Sequence, residues 1–263
     1  MIDDLSPRRV ARLFWHSWLF NVKNLSRSGF FVLTSVLQPV LFASIAFFLF
    51  REGRGEQTLL YAALGAGMMG IWSSVLFGSG GAISWQRWQG TLELLVTTPP
   101  PFVLVLLPLT IATATIGLYS IISTLVWGVV LFDMPLSLEH PLTFAVALPV
   151  AVLSLGMLGL LLGSSFVMYR NANALSNLLE YPVWLVTGLL VPLTLLPGWA
   201  HPIAWALAPT WGVRAIRDAA IGGNAWPEIA ACLGLGAVYV ALGVVCLEFF
   251  EKRARVHATL SLT

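Results

Sequence analysis

The chain has 263 residues, of which 58% are hydrophobic and only 10% charged, with a formal net charge of +2 and a mean hydropathy of +0.85. Apolar content this far above that of a soluble domain makes it an integral membrane protein. Membrane-length segments occupy nearly the whole chain, which excludes a soluble catalytic domain of ordinary size, and so small a net charge gives no reason to invoke nucleic acid.

Residues 1–29 lack the charge-then-apolar order of a secretory signal. They read instead as an amphipathic helix that Ser6 caps and Pro7 opens. At about 100° per residue, Val10, Phe14, Trp18, Val22 and Leu25 share one face, and Arg9, Arg12, His16, Lys23 and Arg27 share the opposite one. A helix of this kind is expected to lie in the plane of an anionic membrane surface.

Six apolar segments follow, at residues 30–50, 59–81, 102–132, 143–168, 178–196 and 229–247. Each is long enough to cross about 30 Å of hydrocarbon, although the fifth carries Glu180 and Pro182. Glycines crowd the second (Gly65, Gly67, Gly70) and the fourth (Gly156, Gly159, Gly163), so close helix contact is expected, within one chain or between two.

Between the second and third segments lies WQRWQGTLELLVTTP, residues 85–99, a polar and amphipathic interruption. It holds Arg87 and Glu93, the only charged residues between Glu56 and Asp133. Trp85, Trp88, Leu92 and Leu95 recur at helical spacing on one face, with Gln86, Gln89 and Glu93 on another. Gly78, Gly80 and Gly81 offer a flexible exit from the preceding span, and Pro99 to Pro101 end the segment. The residues themselves admit two readings: an interfacial loop anchored by its tryptophans, or a docking lever on which a cytoplasmic partner pushes.

Glu180 also has two readings. Either it faces the bundle interior or a translocation path, or it lies about one turn into the membrane and stays solvated near Arg170 and Asn173. Residues 197–227 form a stretch too long for a turn, with short helical pieces at 199–207 and 210–220 separated by Pro209. Trp205, Leu207, Trp211, Val213 and Ile216 make it too apolar for a free loop. It reads as a hairpin dipping into the outer leaflet and packed by protein where its backbone is broken. If the amino terminus is cytoplasmic, ten of the fourteen Lys and Arg residues fall inside, and Arg51, Arg54, Arg214 and Arg217 fall outside. That asymmetry predicts cytoplasmic termini and a cytoplasmic residue 85–99 segment.

Motifs for chemistry are sparse. The chain has no GxxxxGK[ST], so it holds no ATP in a phosphate loop of its own. Cys232 and Cys246 stand fourteen residues apart on one helix, roughly 21 Å at helical rise, too far to bridge. His140 and His201 lack metal-ligand spacing, and both sit opposite Ser79, which separates any nucleophile from any base.

Taken together, the amphipathic amino-terminal helix, the six spans, the QRWQGTLELLVTTP segment and the PTWGVRAIRD stretch before the last span resemble the permease subunit of the type-two ATP-binding-cassette exporter family. The most specific part is the R-x-x-GTLE-x-L-x-x-TP core at Arg87, Gly90, Thr91, Leu92, Glu93, Leu95, Thr98 and Pro99. Pro209, Thr210, Arg214 and Arg217 are similar to the family's P-L-T-x-x-x-E-x-x-R signature, without its glutamate. The resemblance implies an all-α membrane protein with six transmembrane helices, a cytoplasmic coupling helix after the second and a broken re-entrant hairpin before the sixth. It would form one permease domain, with residues 1–29 interfacial, 30–250 in the membrane and 251–263 a cytoplasmic tail. It further implies that Trp85, Arg87, Trp88, Gly90, Thr91, Leu92 and Glu93 dock on a separate ATPase subunit, present in two copies, which binds the ATP and Mg while this chain binds no cofactor. A second permease, identical or homologous, a prokaryotic inner-membrane location, and Glu180 and Trp184 as walls of an export path for a drug-like, lipid or glycoconjugate substrate complete what it implies. An ATP-independent channel or secondary transporter is the alternative, and it would call for several intramembrane charges.

Overall fold

The computed structural model describes residues 6–50, 57–88, 90, 101–166 and 172–257. No strand occurs among the described residues. The helices are α1 (Pro7–Arg27), α2 (Gly29–Phe50), α3 (Gln57–Trp88), α4 (Val103–Ile116), α5 (Leu118–Phe132), α6 (Pro141–Phe166), α7 (Ala172–Val186), α8 (Ala200–Trp205), α9 (Ala208–Ile221) and α10 (Trp226–His257), with a 3-10 turn at Leu193–Leu195.

Everything is arranged around α3, which packs against α2, α4, α5, α6, α7 and α9. Of its membrane-length stretch 89% is enclosed, against 28% for α10, which marks α3 as the axis and α10 as a flank. Such enclosure needs backbones to approach closely, and the glycines supply it. A Cβ at Gly67 would lie 2.6 Å from Ile121 Cγ1 on α5, and one at Gly156 would lie 2.8 Å from the Cα of Ile111 on α4. Gly65, Gly67, Gly70, Gly156 and Gly159 therefore serve contacts within one chain.

Among the described residues, four helices are long and apolar enough to cross a membrane: Thr58–Gly81, Val103–Phe132, Pro141–Phe166 and Trp226–Phe249. A fifth is counted if Pro7–Arg27 and Val32–Phe48, bent by 79°, are taken together. The segment 178–196 is not a single helix. Its helix α7 has 15 residues, roughly 22 Å of rise, and gives way at Thr187 to a turn in which Gly188 takes φ +80.

Helix α1 begins at Pro7 as its sequence dictates, but the Ser6 cap is made by the Ser6 carbonyl, which accepts from Arg9 and Val10, and not by its hydroxyl. The apolar side of α1 is half-buried and packs along α4, where Trp18 Nε1 donates to Thr115 Oγ1 at 3.2 Å. Protein therefore takes much of the face that the sequence assigns to lipid. The basic residues Arg9, Arg12, His16, Lys23 and Arg27 stay exposed, as the helical periodicity requires.

The broken stretch before α10 is packed where it breaks. Tyr239 of α10 donates its hydroxyl to the Ala206 carbonyl at 2.6 Å and accepts from the Ala208 N–H at 3.0 Å. Thr210 Oγ1 and Trp211 Nε1 donate to the carbonyls of Ala204 and Trp205. At the far end of α9, the Ala219 and Ala220 carbonyls accept from the His140 and Glu139 N–H groups, so the helix end is satisfied by the chain entering α6.

Candidate functional site

The residues singled out from the sequence fall at different levels of α3. At its carboxyl end the helix continues unbroken from the apolar stretch to Trp88, placing Trp85, Arg87 and Trp88 in its last turn. Gly90 follows in a turn with φ +68, the left-handed conformation that ends helices. Thr91, Leu92 and Glu93 lie outside the described residues, as do Leu95, Thr98 and Pro99. The flexible exit read into Gly78, Gly80 and Gly81 is corrected by this continuity. Gly78 and Gly80 are small because neighbours crowd them: a Cβ at Gly78 would collide with Thr113 of α4, and one at Gly80 would lie 2.7 Å from Ser176 Oγ of α7. With 32 residues, about 48 Å at helical rise, α3 exceeds roughly 30 Å of hydrocarbon, so the span runs on to Trp88 as one rod.

About halfway along α3, Glu180 of α7 is buried, with 3% of its surface exposed. Its Oε1 accepts from Ser73 Oγ of α3 at 2.6 Å and from Gln38 Nε2 of α2 at 3.1 Å. Both donors are neutral and come from the two helices that flank it, and the solvated placement is not what the fold adopts. One turn on, Trp184 is 4% exposed and packs edge-on against Phe42 of α2, with ring centroids 4.8 Å apart. Its Nε1 has no hydrogen-bond partner among the described residues. Helices α2 and α7 both rest on α3 and meet each other through these two side-chain pairs, Gln38 with Glu180 and Phe42 with Trp184, forming a seam.

Gln38 and Ser73 are contributors that the sequence reading missed. The signal for Gln38 was present, since it is the one carboxamide in the apolar 30–50 segment. Ser73 carried none, being one of many small hydroxyl residues in the spans.

At the opposite end of α3 from Trp88 sits Arg217, which α9 carries inward instead of out to solvent. It is 4% exposed. Its Nη1 donates to the Gly188 carbonyl at 2.7 Å, its Nη2 to Leu189 at 3.0 Å and its Nε to Tyr61 at 3.2 Å. The guanidinium also lies 3.5 Å from the Tyr61 ring centroid. Two of these carbonyls, Gly188 and Leu189, belong to the turn that follows α7 and the third to α3, so Arg217 ties that turn to α3. Burial pushes its pKa down to about 10, which leaves it charged at neutral pH. Arg214, by contrast, stays half-exposed and pairs with Glu228 at 3.5 Å.

The other residues weighed from the sequence lie apart from one another in ordinary packing surroundings. His201 Nε2 lies 3.1 Å from the Leu193 carbonyl oxygen, Cys232 is buried, and Cys246 is partly buried. Ser79 is enclosed beside Gly159 with no partner for its hydroxyl among the described residues.

A family model described as ABC-2 type transporter matches residues 12–221. No curated protein matches the chain.

Proposed function

The chain belongs to the ABC-2 type transporter family, whose model spans it from α1 to the end of α9, and from that premise we propose that this permease is the membrane half of an ATP-driven exporter, moved by a separate ATPase subunit that docks on residues 85–99. The observation that carries the proposal is the continuity of α3 from the packed centre of the bundle to Trp88. A docked subunit pushing near Trp88 displaces a rod whose other contacts include Ser73 with Glu180, about 22 Å away at helical rise, and Gly65 beside the turn after α7. Because packed interfaces switch between discrete arrangements and do not deform continuously, such a push selects between two states of the bundle.

In this reading the membrane domain crosses six times, with α2 and the short α7 as crossings additional to the four long ones, and with both termini and residues 85–99 in the cytoplasm. Two ATPase subunits carry the ATP and Mg, and a second permease, identical or homologous, completes the pathway. Glu180 and Trp184, on the α2–α7 seam, belong to its wall. The substrate is drug-like, lipid or glycoconjugate, and the membrane is a prokaryotic inner membrane.

The test is recovery of the ATPase subunit with tagged permease after gentle extraction. Truncating a central interface anchor costs about 2 kcal/mol or more, close to thirtyfold in affinity, whereas a rim charge costs less. Trp88→Ala combined with Leu92→Ala is expected to lose the ATPase, while Glu93→Ala retains it and exports less per ATP hydrolysed. Normal recovery with the double variant, in a permease shown to insert, removes the lever and the exporter with it.

A further inference from the structure

We propose that the junction of α9 and α10 is a clasp that tightens in acid: Arg214 serves two carboxylates, Glu228 across the junction and Asp218 on its own helix, and a proton taken up by Asp218 leaves the arginine to Glu228. The clasp does not rest on the exporter reading, although in that reading this end of the bundle faces the outside. Helix α9 ends at Ile221 and α10 begins at Trp226. Between them Gly222 takes φ +99, and the Gly222 and Gly223 N–H groups donate to the Asp218 carbonyl at 3.1 and 2.7 Å, so the turn folds back over Asp218. A Cβ at Gly223 would lie 2.8 Å from the Cβ of Asp218. The charged tie across this turn is Arg214 Nη2 with Glu228 Oε1, at 3.5 Å.

Charge is unbalanced at that tie. Arg214 stands four residues before Asp218, a spacing at which opposite charges pair on a helix face, yet its ion pair, the only one among the described residues, goes across to Glu228. One cation thus serves two carboxylates. Glu228 is 7% exposed, and its Oε2 is buried with no hydrogen-bond partner among the described residues, so the arginine holds it by one oxygen. Burial pushes the half-buried Asp218 carboxyl above the ordinary aspartate range and Glu228 pushes it further, against Arg214 and Arg217. The other titratable groups on the elements packed against α9 are engaged elsewhere. Glu139, on the chain entering α6, packs beside Gly222, and the neighbouring His140 gives its N–H to the Ala219 carbonyl. Tyr61 of α3 lies under Arg217, His201 of α8 is turned to the Leu193 carbonyl, and Cys232 of α10 is buried.

An ionised Asp218 competes for Arg214 and repels Glu228, whereas a protonated one does neither. The gain falls on Glu228, a buried carboxylate for which a weakened partner is costly. Because the Asp218 carboxyl titrates higher in the folded chain than in the unfolded one, the stability it contributes is fully present below the ordinary aspartate range and is lost as pH rises through the raised value. The clasp is therefore tight in acid and loosens as the medium becomes more alkaline. What loosens is the end of α9, the start of α10 and the glycine turn that joins them.

The experiment is the melting temperature of the full chain in uncharged maltoside detergent, with no ATPase present, at about pH 4.5 and about pH 8 for the parent and for Asp218→Asn, which keeps that position neutral. Asp218→Asn is expected to melt about 3 °C or more above the parent at the higher pH and within about 1 °C of it at the lower. In the Glu228→Gln background the same substitution should shift melting equally at both, because the competition for Arg214 is gone. A gap that does not widen with pH overturns the clasp. A gap that widens as much without Glu228 overturns the sharing of Arg214 and leaves a carboxyl perturbed by burial alone. If Asp218→Asn does not fold, a nitroxide on Asn224→Cys in a Cys246→Ser chain decides the matter: its spectrum should be immobilised in acid and mobile at the higher pH, and one spectrum at both overturns the clasp.

Discussion

Gly65 offers a sharp test of how α3 is held. It faces the turn after α7, and a Cβ there would sit closer than 3.0 Å to both the Leu189 carbonyl oxygen and Arg217 Nη2. The arginine tip can swing aside, but the carbonyl is backbone and cannot. Gly65→Ala must therefore push the turn away from α3 by something on the order of 1 Å, in a region packed like a crystal. Overpacking of this kind costs about 1–3 kcal/mol. Displacing the Leu189 carbonyl also loosens its 3.0 Å bond from Arg217, and a hydrogen bond from a charged donor contributes about 1.5–3 kcal/mol. The sum, about 2.5–6 kcal/mol, corresponds to a fall of roughly 5–24 °C in melting temperature at about 2–4 °C per kcal/mol. Gly81 is the control, since it lies in the same helix and a Cβ there meets nothing within 4 Å. Gly81→Ala should be neutral or slightly stabilising, by up to about 1 kcal/mol of helix propensity. The assay is the fraction of detergent-solubilised protein that remains monodisperse after heating. If Gly65→Ala melts within about 2 °C of Gly81→Ala, the close approach of α3 to the α7–α9 turn is wrong.

Glu180→Ala strands the buried Ser73 hydroxyl, at about 1–3 kcal/mol for an unsatisfied group, and removes the acceptor of the partly buried Gln38 amide, so its melting temperature should fall by several degrees while Glu180→Gln, which keeps an acceptor for Ser73, falls less; equal melting of Glu180→Ala and the parent chain would exclude the buried pairing. For sidedness, a cysteine at Gln89 in intact cells should resist a membrane-impermeant thiol reagent while one at Asn224, in the exposed turn before α10, reacts readily, and labelling of Gln89→Cys from outside reverses the proposed topology. In the same series, cysteines at Trp205 and Trp211 should react more slowly than at Asn224 if the hairpin sits in the outer leaflet, and equal rates would place it in water.

The sequence by itself determined the class and the outline of this protein. Hydrophobic length is a local property, so the helices of segments two, three, four and six could be read residue by residue, and the helical period of Val10, Phe14, Trp18, Val22 and Leu25 fixed the apolar side of α1. The GTLE core and the run of apolar segments carried the family. What the sequence could not supply was which surface meets which. Amphipathicity says that a face is apolar and not whether lipid or α4 covers it. Glycine tolerates a bend and a close approach equally, and only the positions of Thr113 and Ser176 showed that Gly78 and Gly80 serve approach, in a helix that continues to Trp88. Arg214 and Arg217 are three residues apart in the same sequence signature, yet one reaches Glu228 and the other is held inward by carbonyls of the turn after α7. That choice depends on groups 28 and 29 residues away in the chain, a pairing that no local pattern encodes and that only the packing of α9 against α3 and the α7 turn decides.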